Sequence, residues 1–123
     1  MRVRDHSQCR VFEKTQFSMM TPEVRTHLRS LNSLENIVIF GLEAHVCVYQ
    51  SVKDLLDDNY KVFLAVDGVA SRSLDDQSVA LAQLARFGAV MTTSESILFE
   101  LCSDAKHEKF KQISQLIKQK IST

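Results

Sequence analysis

The sequence predicts an α/β fold, a sheet of parallel strands covered by helices as a partial three-layer sandwich. Two observations predict it. Short apolar runs rich in β-branched residues recur at Ile37–Phe40, Lys61–Val66 and Ala89–Thr93. Between them lie longer stretches whose apolar residues repeat at helical spacing. Strand and helix therefore alternate, which is the pattern of right-handed crossover units joining parallel strands.

Taken in order, Val11-Phe12 reads as strand-like. Thr21-Pro22 then forms an N-cap followed by proline at the first helical position. The helix they open sets Val24, Leu28 and Leu31 on one face. The run Ile37–Phe40 is a buried strand, and Gly41 marks a sharp turn. Val48, Val52, Leu55 and Leu56 follow on one helical face, to near Asp58-Asn59. Lys61–Val66 is the next buried strand, closed by Asp67-Gly68. Ser73 to Phe87 carries Val79, Ala80, Leu84 and Phe87 at helical spacing, with Gly88 placed to stop it. After the strand at Ala89–Thr93, Ser94 caps a helix through Ile97, Leu98 and Leu101. A last helix, about Lys106 to Lys120, buries Phe110, Ile113, Leu116 and Ile117.

The 123 residues suffice for one domain with a modest core, and a hydrophobic share of 45% with only three glycines and one proline indicates a globular chain. Fifteen basic residues balance fifteen acidic ones, and no basic stripe with interleaved aromatics occurs, so nucleic acid is not the expected partner. No apolar run approaches the length of a membrane span. Cys9, Cys47 and Cys102 are odd in number and widely spaced. That pattern suits reduced thiols in the cytoplasm better than a disulfide framework, and no Cys-x-x-Cys pair suggests a zinc or redox site. The first ten residues contain no apolar segment of the secretory type.

Cys47 falls where a strand gives way to a helix. There the free backbone N–H groups and the positive end of the helix dipole favour a thiolate, which makes it a candidate nucleophile. Against this stands the ordinary use of cysteine as a small buried hydrophobe. Ligands of parallel sheets bind beyond the C-terminal ends of the strands, and Cys47, Asp67 and the stretch 92–95 all fall at that edge.

The segment Gly41-Leu-Glu-Ala-His-Val-Cys47-Val48 resembles the nucleophile corner, Gly-x-x-x-x-x-Cys-[Val/Ile], of the isochorismatase-like cysteine hydrolases. Lys14-Thr-x-Phe-Ser-Met19, Pro22-Glu-Val24, Asp67-Gly-Val-Ala-Ser-Arg-Ser73, Thr92-Thr-Ser-Glu95 and His107-x-Lys-Phe-Lys111 match animal isochorismatase domain-containing proteins in the same order. The resemblance covers about Val11 to Lys118. It implies a Rossmann-like three-layer α/β/α sandwich and a catalytic set of Asp, Lys and Cys. Lys14 and Cys47 match two of the three. The family's aspartate lies in an Asp-x-Gln stretch with no counterpart here, and Asp5 is not in a strand-end context. The resemblance therefore implies a non-matching segment at 1–10 and a partial, N-terminally truncated domain at 11–123.

The resemblance also implies an oxyanion hole from the backbone N–H groups of Glu43 and Cys47, helped by a cis peptide at Leu42–Glu43. For Lys14 the catalytic partner is weighed against a solvated surface lysine. His45 invites a dyad with Cys47, but neighbours so close at a turn rarely align for proton transfer. It is assigned instead to a pocket wall or the surface, while His6, His27 and His107 are read as exposed. Asp67 and Ser71 are read as loop caps, with Asp67 and Arg72 as candidate pocket residues. An arginine there would hold a substrate carboxylate. Cys9 and Cys102 are read as structural or incidental.

The resulting expectation is a cysteine hydrolase of small amides or related compounds, weak or inactive for want of the aspartate. The alternative is an inactive binding or assembly module. A redox-sensitive thiol is a third reading, for which no resolving cysteine lies near Cys47 in sequence. No metal or cofactor is expected. The expected partners are a small-molecule substrate or further copies of the chain in a homo-oligomer.

Overall fold

Asn36–Leu42 (β1), Lys61–Ala70 (β2) and Val90–Thr92 (β3) form one parallel sheet in the order β1-β2-β3. The computed structural model describes residues 6–121; Asp5 lies outside them. Five α-helices surround the sheet: Pro22–Ser30 (α1), Tyr49–Asp57 (α2), Leu74–Phe87 (α3), Ser94–Cys102 (α4) and Phe110–Ile121 (α5). The α/β class and the parallel strands are as the sequence predicts.

Alternation along the strands explains the layering. Ile37 and Ile39 lie opposite Val62 and Leu64, so these four share one face of the sheet. They pack with Val48, Val52 and Leu55, and with Leu84 of α3, in a continuous apolar core. The opposite face carries Val38 and Phe63, with Ile97 and Leu101 of α4 beside them. Phe99 and Phe110, with ring centroids 6.3 Å apart, join α4 to α5.

Local signals account for the helix ends. Thr21 accepts from Val24 N–H ahead of Pro22, and Ser73 accepts from Asp76 N–H. Gly88 closes α3 at φ 111°, a left-handed conformation that a Cβ would strain.

Several elements depart from expectation. Val11-Phe12 is irregular rather than strand, and the Phe12 ring packs beside His27 instead, at 5.5 Å. His27 is accordingly half-buried, whereas His6 and His107 are exposed as read. Leu31 lies past the end of α1 and is exposed. Val79 and Phe87 are exposed, and Phe87 takes Lys53 over its ring. The cap of α4 is Thr93, whose hydroxyl accepts from Ser96 N–H, so Ser94 is the first helical residue. The last helix begins at Phe110, not Lys106, and its Leu116 is exposed.

The largest departure concerns Asp67-Gly68, which does not end its strand. β2 runs on to Ala70, but its pairing with β1 jumps from Ile39–Leu64 to Gly41–Val69. The extra residues between Leu64 and Val69 make a bulge in which Gly68 lies against Phe40 of β1, where a Cβ would come within 3.0 Å of the Phe40 Cβ, and Asp67 reaches the start of α4.

Candidate active site

Gly41 precedes the Cys47 corner with φ 154°, backbone that a residue with a side chain rarely adopts. Glu43 follows in the left-handed region at φ 60°, and the chain then enters a π-helical turn, Ala44–Val48. Val48 N–H donates to Glu43 O at 3.3 Å, the wide closure of such a turn, before α2 continues. Turns of this kind are rare and occur frequently at functional sites. Among the described residues no peptide bond is cis. The Leu42–Glu43 peptide is trans, and the reversal is made by the left-handed Glu43.

Cys47 is the fourth residue of this turn and is half-buried. The Lys14 Nζ lies 3.7 Å from its Sγ and 3.1 Å from Gln16 O. Among the described residues no carboxylate hydrogen-bonds or ion-pairs with either group.

Lys14 belongs to an irregular loop, so something must hold it. Ser18 Oγ donates to Asp54 Oδ2 at 2.6 Å, and Met19 N–H donates to Ser51 Oγ at 2.7 Å. Both serines are buried, and Met20 N–H donates to Ser18 Oγ. The loop bearing the lysine is thus tied to the helix that follows the cysteine. Ser51 and Asp54 were not singled out from sequence; their spacing of three on one helix face was the available signal.

The remaining candidates divide. His45 and Arg72 line one cavity of about 280 Å³ with Glu43, Ser73 and Asp76. His45 Nδ1 lies 3.1 Å from Ser71 Oγ, and its Nε2 is 3.9 Å from Asp76 Oδ2. Asp76 was not anticipated. Asp67 stands apart from this cavity: it accepts from Ser94 N–H at 2.8 Å, from the Ser94 hydroxyl, and from Lys120 Nζ at 2.8 Å. The Lys120 hydrogen bond foremost, then those from Ser94, hold its carboxyl well below the usual carboxylate range. Asp67 also raises Lys120 in return. A second, open cleft of about 680 Å³ lies along Lys14 with Glu13, Gln16 and Glu23; Cys47 is not in its wall. Cys9 and Cys102 are free thiols, the latter buried.

The isochorismatase domain matches residues 1–96 of the chain. The chain belongs to the isochorismatase family. It is 44% identical over 108 residues to isochorismatase domain-containing protein 1 of Danio rerio, covering 88% of this chain and 38% of that protein. It is 43% identical over 117 residues to isochorismatase family protein 1B of Dictyostelium discoideum, covering 94% and 57%. Among solved structures, that described as MAR1 ribonuclease from Caenorhabditis elegans superposes with a TM-score of 0.77 at 40% identity, over 85% of this chain and 53% of that one. Nicotinamidase PncA from Bacillus subtilis, at 20% identity over 66% of this chain and 44% of that one, with a TM-score of 0.60, shares the fold. The chain thus spans roughly half, or less, of the length of these isochorismatase relatives. Among the described residues no group of three or more His, Cys, Asp or Glu side chains is placed to hold a metal ion, and no helix is long and apolar enough to cross a membrane.

Proposed function

We propose that the chain carries the thiol half of an isochorismatase-like cysteine hydrolase site. Cys47 attacks the carbonyl carbon of a small amide or related substrate. The observation that carries this reading is the 3.7 Å approach of Lys14 Nζ to Cys47 Sγ. A cation at that distance stabilises the thiolate, which is the form that attacks. The tetrahedral oxyanion is received by the N–H groups of Glu43 and Cys47, at the wide turn that opens the helix. His45 and Arg72 offer polar contacts to the rest of the substrate. Glu43 and Asp76 share their cavity and weaken its pull on an anion.

Amide cleavage also needs a proton delivered to the departing nitrogen. No carboxylate touches the Lys14–Cys47 pair among the described residues, and Asp67 is engaged with Ser94 and Lys120. Acylation of Cys47 by an activated ester is therefore expected without appreciable turnover of simple amides by this chain alone. An ester releasing p-nitrophenolate tests it. The expected result is a burst of about one equivalent followed by a slow phase, with the acyl group found on Cys47. Absence of the burst, with acetylation spread over surface lysines, would remove the nucleophile. Amide turnover that vanishes in Cys47→Ala would show that another group supplies the proton.

Cleavage of RNA is not adopted for this chain. The cleft along Lys14 holds Glu13 and Glu23, and the net charge is zero, whereas a polyanion calls for clustered cations. The free thiols suit a reducing compartment such as the cytoplasm. A second reading, assembly with a further copy of the chain, is favoured by the apolar outer face of β1, where Phe40 is 74% and Leu42 77% exposed.

A further inference from the structure

We propose that the Lys14–Cys47 pair is a reversible oxidation site, at which hydrogen peroxide drives closure of a sulfenamide bond between Cys47 Sγ and Lys14 Nζ. The inference deepens the reading above by adding regulation to the same pair. It rests on that pair's geometry and not on amide hydrolysis.

A half-buried thiol beside a cation has the exposure and surroundings that favour oxidation to a sulfenic acid. The fate of a sulfenic acid depends on the nearest nucleophile. For most sensor cysteines that is a second thiol. Here Cys102 is buried, with its sulfur on Asp104 O, and Cys9 Sγ faces Arg10 O. The nitrogen of Lys14 is already 3.7 Å from the sulfur. Its loop is fixed to α2 by the Ser18–Asp54 and Met19–Ser51 hydrogen bonds, so the amine is held at a high local concentration.

The chemistry balances in two steps. In the first, the Cys47 thiol attacks one peroxide oxygen, the O–O bond breaks, and sulfenic acid and one water form. Sulfur is oxidised by two electrons and peroxide is reduced. In the second, the Lys14 amine attacks sulfur, an S–N bond forms and the S–O bond breaks. The hydroxyl leaves with a proton from nitrogen as a second water. Nitrogen, unlike a distant thiol, needs only a side-chain rotation to reach the sulfur. The product has no free thiolate and resists further oxidation, and an added thiol reopens it by attack on sulfur.

The full chain, treated with peroxide and digested with trypsin without reductant, tests the proposal. The expected product is lighter than the untreated chain by about 2 Da. Its digest links Val11–Arg25, uncut at Lys14, to Ser30–Lys53, and dithiothreitol restores both peptides. Lys14→Arg should abolish the link and let Cys47 proceed to sulfinic acid. Cys47 recovered as sulfenic or sulfinic acid with Lys14 still cleaved, or in a disulfide with Cys9 or Cys102, would overturn the proposal. So would a linked pair heavier by about 14 Da, which would carry an oxygen between sulfur and nitrogen. The mass reports on the bond whether or not the ester burst is seen, so the two readings fail separately.

Discussion

Ser18 Oγ donates to Asp54 Oδ2 at 2.6 Å, joining the lysine-bearing loop to α2, the helix that follows the turn bearing the cysteine. The two residues are far apart in sequence and touch no candidate substrate position. Their bond nevertheless fixes which group faces Cys47, because the loop has no regular hydrogen bonding of its own.

Ser18→Ala is accordingly expected to act twice. Loss of a hydrogen bond to a charged, partly buried acceptor costs about 1.5–3 kcal/mol, read as a lower urea midpoint. The freed loop should also lower the alkylation rate of Cys47 under native conditions. A variant that loses stability while Cys47 reacts as before would show that Lys14 is held by other contacts.

Among the three thiols, Cys47 should alkylate fastest. Cys102 is buried, and among the described residues Cys9 has no cation within hydrogen-bonding range. Two charges about 4 Å apart interact by about 1 kcal/mol even in bulk water, about a fivefold effect. Lys14→Met should therefore slow iodoacetamide labelling of Cys47 by about that factor, with Cys9 unchanged. Equal rates in the parent chain and the variant would remove Lys14 from the site.

What could be read from sequence was local. Thr21-Pro22, Ser73 and Gly88 mark helix ends through bonds to neighbours three or four residues away, and each is found where its chemistry puts it. Cys47 was legible because a strand, a glycine and a helical stripe follow one another directly. The π-helical turn was not, since no residue type specifies it. Asp67-Gly68 carries the composition of a turn, yet stays in β2 because Asp67 is recruited by α4, an element not yet made at that point in the chain. Val11-Phe12 has strand composition but, among the described residues, pairs with no strand. The meeting of His45, Ser71 and Asp76 likewise depends on three elements closing over one edge of the sheet.

Asp67 supplies a pH signature. Its carboxyl is held below its ordinary value of 3.8, so its contribution is complete above that pH and is lost as pH falls through the lower folded-state value. Lys120, raised above 10.5, contributes below that pH and loses its part as pH rises through its own folded-state value. Between these limits the Asp67–Lys120 contact should leave stability independent of pH. Asp67→Asn should flatten part of the acid limb and speed amide exchange at the start of α4. An acid limb unchanged in this variant would assign it to other carboxylates.

The outer face of β1 leads to an expectation about assembly. Among the described residues β1 has one hydrogen-bonded neighbour, β2, so its other backbone edge is unpaired there. Its sequence, Asn36 to Leu42, contains neither charge nor proline, the usual protections of such an edge. Phe40 and Leu42 stand exposed on the face away from the core, beside Val38. A second copy would meet this surface with the same residues across a two-fold axis, pairing edge to edge and covering apolar side chains on both sides. With zero net charge no long-range repulsion opposes the approach. Light scattering over a range of concentrations should therefore show self-association, and Phe40→Lys should reduce it while leaving α2 and its core contacts intact. A monodisperse monomer with a steep, cooperative unfolding transition would show that this face is stable in water, and the assembly reading would have to be given up.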